Sequence, residues 1–225
     1  RLEHTREFHR LGAISGILYD SDGSTVLYNW FDEFGITQPA EVDFNLPDGA
    51  TAVTGTIRAQ CGDIVRGMAR AAGGAFTPAT RVVAVCGDQF FDGFANHADV
   101  RSTYLATQEA KELRRGADLI AEGAAGFQSF DFGGITWTNY RGSDDGTTVG
   151  VATTKAKFVP VNAPGVFREV RAPGESFEWI NQPGKKEYVR MVYDLARNEW
   201  VSLEVTAYPL MICTRPGVLF SAKYT

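Results

Sequence analysis

The sequence is poor in the groups from which catalytic and metal centres are made. Its 225 residues include three histidines and three cysteines. Cys61, Cys86 and Cys213 are widely spaced with no CxxC, which excludes a disulfide framework and a structural zinc site. Each lies among apolar neighbours and reads as a small buried thiol, at home in a reducing cytoplasm. The nucleophile elbow GxSxG, the phosphate-cradling GxxxxGK[ST] and the zinc-binding HExxH are all missing. No window approaches the 18 uninterrupted apolar residues of a membrane span. Arg1 to Arg6 have neither the apolar core of a signal peptide nor an initiator methionine, so a start processed or trimmed from a longer chain is expected. Lys and Arg are themselves absent from Leu11 to Ile57, a stretch that holds Asp20, Asp22, Asp32, Glu33, Glu41, Asp43 and Asp48. The net charge of −5 argues against a basic-faced reader of nucleic acid sequence.

What is present is an ordinary globular composition for one large domain or two small ones. Residues 12–31 read as a long hairpin turning at Asp20-Ser21-Asp22-Gly23-Ser24. Its return strand sets Val26, Tyr28 and Trp30 on one face, with Leu27 and Phe31 on the other. A two-stranded hairpin is marginal alone in water, and one with two apolar faces is expected to dock on something, such as another chain. A helix is expected from Asp48, as its cap, to Ala72, ended by Gly73-Gly74. Its apolar stripe is Val53, Ile57, Cys61, Ile64, Val65 and Met68, with Arg58, Arg66 and Arg70 off it. Arg81 to Cys86 is an unbroken apolar strand of the kind buried on both faces. Helices follow near 89–95 and 99–115, and then the chain is mostly strand: a hairpin at 127–140 turning on Gly133-Gly134, and strands near 157–161, 167–171, 188–193, 200–207, 210–213 and 218–224. Strand, helices and more strands suggest an α+β sheet with helices packed on it.

The residues offer little chemistry. His4 and His9 fall in a terminal arm, and His97 sits in the Asn96-His97-Ala98 turn between helices; a small cytosolic hydrolase using His97 is the enzymatic alternative. Asp20-Ser21-Asp22-Gly23 has the start of a calcium loop but not its later carboxylates, and Asp144-Asp145-Gly146 is no better. Neither cofactor nor metal is expected.

The order of parts and two stretches carry a resemblance. One runs from Tyr193-Asp194-Leu195-Ala196-Arg197-Asn198-Glu199-Trp200 through Ala207-Tyr208-Pro209-Leu210-Met211-Ile212 to Arg215-Pro216-Gly217-Val218-Leu219-Phe220-Ser221. The other joins Val82-Val83-Ala84-Val85-Cys86 to the helix around Phe90 and Phe94 and to Leu113-Arg114-Arg115-Gly116. Together they resemble the major capsid protein E family of tailed bacteriophages, the lambda-type branch, over essentially the whole chain. None of these motifs is catalytic, so their specificity lies in order and spacing.

The resemblance implies the shell-forming fold named after phage Hong Kong ninety-seven. In its terms, residues 1–11 would be an N-terminal arm, 12–35 an extended hairpin loop over a neighbouring subunit, and 36–79 a peripheral domain with a long spine helix. Residues 80–225 would be an axial sheet-and-helix domain, with the chain returning to the peripheral domain near its end. It further implies a structural, non-enzymatic subunit that self-assembles into hexamers and pentamers of an icosahedral head around double-stranded DNA. Virion localisation, assembly in the bacterial host cytoplasm, and decoration, portal and scaffold proteins as partners go with it. A bacterial nanocompartment shell of the same fold is the alternative. Under this reading the site residues are interfacial. Tyr19, Tyr28 and Trp30 would anchor the overlapping hairpin, and Asp20, Asp22, Asp32 and Glu33 would form its charged edge. Arg58, Arg66, Arg70, Arg101, Arg114 and Arg115 would receive it on the neighbour. Trp30→Ala is expected to block assembly and spare the fold.

Overall fold

The computed structural model describes residues 2–20, 22, 24–47, 54–106, 129–140, 151–194, 196–197 and 199–225. The chain enters through helix α1 (Leu2–Ser15), a short hairpin of β1 (Ile17–Tyr19) and β2 (Val26–Asn29), a helical turn α2 (Trp30–Glu33) and β3 (Val42–Asp43). Helix α3 (Thr56–Ala71), strand β4 (Arg81–Cys86), and helices α4 (Asp88–Asn96) and α5 (Ala98–Ala106) follow. The rest is strand: β5 (Ser129–Phe132), β6 (Ile135–Asn139), β7 (Lys155–Val161), β8 (Phe167–Arg171), β9 (Tyr188–Tyr193), β10 (Val201–Thr206), β11 (Pro209–Cys213) and β12 (Phe220–Lys223).

Six strands form one mixed sheet in the order β3-β12-β7-β4-β6-β5. Its centre follows from the apolar run at Arg81–Cys86. Val82, Ala84 and Cys86 point to one face and join a core made with α3 and α4, while Val83 and Val85 point to the other, where Val159, Val166, Val218 and Leu219 pack. Burial on both faces is what the unbroken run predicts. Trp137 on β6 is fully buried, its ring 3.9 Å from that of Phe94, and its indole N–H donates to the Phe132 carbonyl at 3.1 Å. A buried indole needs such a partner. The β5–β6 turn at Gly133-Gly134 has both residues at positive φ, and a Cβ on Gly133 would stand 2.6 Å from that of Cys61. Only glycine allows that turn to lie against α3. All three cysteines are free and buried.

The spine helix departs from expectation. It begins at Thr56, after Gly55 at φ +72°, and its N-terminus is capped from a distance. Asp99 Oδ1 accepts from the Thr54 N–H at 2.6 Å, and Oδ2 from the Ile57 N–H at 3.3 Å. Asp48, the cap expected from the sequence, lies outside the described residues. Sixteen residues make α3 about 24 Å long, against the roughly 35 Å expected of 48–72. Its stop agrees with the sequence: Gly73 and Gly74 have positive φ, and Arg215 donates to the Gly73 carbonyl at 3.0 Å. Ile57, Cys61, Ile64 and Met68 pack into the same core as the sheet.

The beginning of the chain also differs. Residues 12–15 are the last turn of α1, not strand, so the long hairpin shrinks to strands of three and four residues. Gly16, at φ +83°, makes the change of direction, with the Phe31 ring against its Cα where a side chain would stand. The polar loop at 141–146 lies outside the described residues, as do residues 107–115 of the second expected helix.

Candidate assembly surface

Of the expected interface residues, the hairpin's acidic edge is open to solvent: Asp20, Asp22, Asp32 and Glu33 are all exposed. Asp22 is held by its own turn. Its carboxylate accepts from the Thr25 hydroxyl at 2.6 Å and from the Ser24 and Thr25 N–H groups at 2.9 Å. Those bonds, the Thr25 hydroxyl's first, hold its carboxyl well below the usual carboxylate range. Asp32 accepts from the Asn29 amide. Tyr19 and Tyr28 are partly open, with Val26 and Leu27 beside them, while Leu18, opposite Tyr28, is buried, so the short hairpin is covered at Leu18 and leaves apolar surface open towards its turn.

Trp30 is not an open anchor. It is 5% exposed, buried within its own chain in α2, with its ring stacked 5.3 Å from Tyr28. The strand extrapolated from the sequence ends at Asn29, whose side chain accepts from the Phe31 N–H and starts a helical turn. That turn aims both Trp30 and Phe31 inward. Trp30→Ala therefore removes subunit core as well as any contact beyond it.

Of the expected basic receivers, Arg58, Arg66 and Arg70 lie on α3 and Arg101 on α5. Arg58 lies 5.4 Å over the Phe132 ring, and Arg66 pairs with Asp63 at 2.7 Å one turn away on α3. Arg70 and Arg101 are exposed, and Arg114 and Arg115 lie outside the described residues. Part of the acidic block is matched within the chain: Glu41 pairs with Lys155 at 2.8 Å and Asp43 with Lys223 at 2.9 Å. These pairs fasten β3 to the edge of the sheet.

His97 is buried, and its Nδ1 accepts from the Asp99 N–H at 3.2 Å. Its partner is thus the residue that caps α3. Burial drives the cysteine thiols upward, Cys61 to about 12 and Cys213 to about 11, values at which no nucleophilic thiolate forms at neutral pH. Among the described residues no cluster of three His, Cys, Asp or Glu is placed to hold a metal ion.

Among the described residues, the exposed large apolar side chains concentrate in an arm over 167–213 that sequence reasoning did not single out. Strands β8 and β11 pair antiparallel at its base, Phe167 opposite Cys213, and β9 and β10 pair farther out, Val189 opposite Val205. Between them Tyr188 forms a small knot. It is buried, its ring lies 4.5 Å from Trp179 and 6.1 Å from Tyr208, and its hydroxyl accepts from the Lys185 N–H and donates to the Ala172 carbonyl. Arg6 on α1 pairs with Glu187 at 2.7 Å and ties the knot to the body.

Beyond the knot the β9–β10 ribbon is two-sided. Val189, Met191 and Tyr193 stand opposite Val205, Leu203 and Val201, and all six are exposed, Met191 at 57% and Leu203 at 62%. The reverse face sets Arg190 opposite Glu204 and Val192 opposite Ser202. The strict alternation Val-Ser-Leu-Glu-Val-Thr, with the looser Val-Arg-Met-Val-Tyr before it, was the available signal. Phe177, 92% exposed, and Ile180 add apolar surface on the connection into β9. Apolar area gathered in this way on projecting ribbons marks an interaction surface.

The fold and its surface are thus those of a helix-backed mixed sheet with projecting apolar ribbons. The chain belongs to the phage major capsid protein E family, whose model matches residues 1–224. It is 28% identical over 197 residues to the major capsid protein of Pseudomonas phage KPP10, covering 82% of this chain and 54% of that one. The fold is similar to that of a prophage capsid protein from E. coli CFT073, with a TM-score of 0.59 at 12% identity, over 100% of this chain and 63% of that one. The chain therefore spans about half of the first of these proteins and under two thirds of the second.

Proposed function

We propose that this chain is the shell-forming part of a phage major capsid protein: a structural subunit that assembles with copies of itself and carries out no catalysis. The observation that carries the reading is the family match over residues 1–224. The exposed apolar ribbons support it, because a shell subunit buries against its neighbours what a monomer would have to hide. In the finer form of the proposal, subunits gather into hexamers and pentamers of an icosahedral head around double-stranded DNA, in the shell fold named after phage Hong Kong ninety-seven. Residues 12–35 would then reach over a neighbour, 36–79 would serve the periphery of each ring and 80–225 its axis. Because α3 and the sheet share one core, these would be roles in the shell and not separately packed units. Decoration, portal and scaffold proteins would be its other partners. The net negative charge suits a wall over which DNA slides without being gripped.

The test is the mass of native particles by light scattering, with a negative-stain image of the same fraction. Closed shells of megadalton mass enclosing DNA are expected. Shells that carry protein cargo and no DNA would favour the nanocompartment alternative, and a 25 kDa species alone would contradict assembly.

A further inference from the structure

Apart from the 17–29 hairpin, two apolar surfaces among the described residues face outward. The first is the ribbon face of Val189, Met191, Tyr193, Val201, Leu203 and Val205. The second is an open groove of about 710 Å³ where α1 meets the end of β7 and the β8–β11 base of the arm. Ala13, Ile14, Val161, Phe167, Met211 and Ile212 are among its lining residues. We infer that the apolar face of the β9–β10 ribbon seats in this groove on a second copy of the same chain.

Four observations commit the ribbon to that occupant. Among the described residues, strands β9 and β10 are hydrogen-bonded only to each other, and all six side chains of the apolar face are exposed, so most of that face lacks cover from its own subunit. Six half-exposed side chains make a patch on the order of 500 Å², at the upper end of what a monomer leaves open and somewhat short of one side of a standard interface. Phe177 and Ile180, at the same end of the arm, supply more area. The groove lies in the size range of clefts that enclose several side chains, and its lining is mostly aliphatic. Charge agrees as well. The groove rim carries Arg168 and Arg10, the latter paired with Glu7 at 3.2 Å, with Glu169 engaged by Arg171 at 2.8 Å, which leaves one net positive charge; the ribbon's tip carries Asp194 and Glu199 against Arg197, one net negative.

Ribbon and groove are different surfaces, so the contact is head-to-tail. Such a contact repeats from subunit to subunit and closes into a ring when the rotation permits. The inference rests on the self-assembly reading and goes beyond it by naming the two surfaces that meet. The ribbon is distinct from the 17–29 hairpin, although Ala13 and Ile14 of the 12–35 segment help to line the groove.

The experiment uses assembled particles carrying Leu203→Cys with Val161→Cys, treated with a bis-maleimide of about 10 Å span, the separation of packed strand layers. Cys61, Cys86 and Cys213 are fully buried and give little background. Most chains are expected to shift to covalent multimers on denaturing gels, whereas each single variant, and Arg190→Cys with Val161→Cys, stays monomeric. Particles that form normally but yield only monomer from the Leu203→Cys and Val161→Cys pair would overturn the inference and leave the shell reading standing. Failure of the wild-type chain to form particles would overturn both. As a second measurement, Leu203→Asp is expected to lower the assembled fraction at least about tenfold while the subunit's melting temperature moves by less than about 2 °C. Assembly of Leu203→Asp at wild-type yield would also overturn it.

Discussion

Strands β6 and β10 are written in nearly the same way and meet opposite fates. In β6, Ile135 and Trp137 alternate with Thr136 and Thr138, and the apolar pair is buried under α3 and α4. In β10, Val201, Leu203 and Val205 alternate with Ser202, Glu204 and Thr206, and the apolar set stands in solvent. The difference is topological. Strand β6 sits between β4 and β5 in a six-stranded sheet with helices on it, while β10 is hydrogen-bonded, among the described residues, to β9 alone. An alternating pattern demands a cover and does not say which chain supplies it. The body satisfies its own demand; the arm passes it on.

That comparison can be broken by substitution, starting in the body. Trp137→Ala removes the centre of the aromatic cluster and should cost about 3–5 kcal/mol of subunit stability, read by denaturant unfolding. Trp30→Ala should cost about 3 kcal/mol by the same measure, since Trp30 is covered by its own chain. A variant that blocks assembly at wild-type stability would restore the anchor role expected from the sequence.

Asp99→Ala should cost about 1 kcal/mol, the usual value of a helix cap. Burial by itself would raise the Asp99 carboxyl; the hydrogen bonds from the Gly55, Thr54 and Ile57 N–H groups outweigh it and hold the group below its ordinary value. The folded state thus favours the carboxylate. Its stabilisation is present above the unfolded value of about 4 and is lost as pH falls through the lower folded value. The gap between wild type and Asp99→Asn in thermal unfolding should accordingly narrow as the pH drops below about 4. The smallest effect belongs to the arm: Met191→Ser should change subunit stability by no more than about 0.5 kcal/mol.

Much of the secondary structure, in body and arm alike, was legible because its signals are local. The run at Arg81–Cys86, the Gly133-Gly134 turn, the Gly73-Gly74 stop and strands at Phe167–Arg171 and Tyr188–Tyr193 stand in the structure where the residues place them. The misread parts depend on distant partners. Helix α3 starts where Asp99, 42 residues beyond Ile57, reaches its N–H groups. Residues 12–15 read as strand because Ile14 and Leu18 flank a Gly16 whose positive φ in fact separates helix from strand. Trp30 was placed by continuing an alternation past Asn29, where a side-chain cap ends it. The arm's alternation was visible, but its lack of cover is a property of the whole fold.

The most direct measurement uses the protein's three methionines as reporters. Met191 lies on the ribbon face, Met211 lines the groove, and Met68 is fully buried in the core. Oxidation of exposed methionine adds one oxygen that mass spectrometry counts residue by residue. Intact particles and dissociated subunits, oxidised side by side, should differ at Met191 and Met211 together, each protected several-fold in the particle, with Met68 slow in both. Met191 oxidised in the particle as fast as in the free subunit would contradict the account.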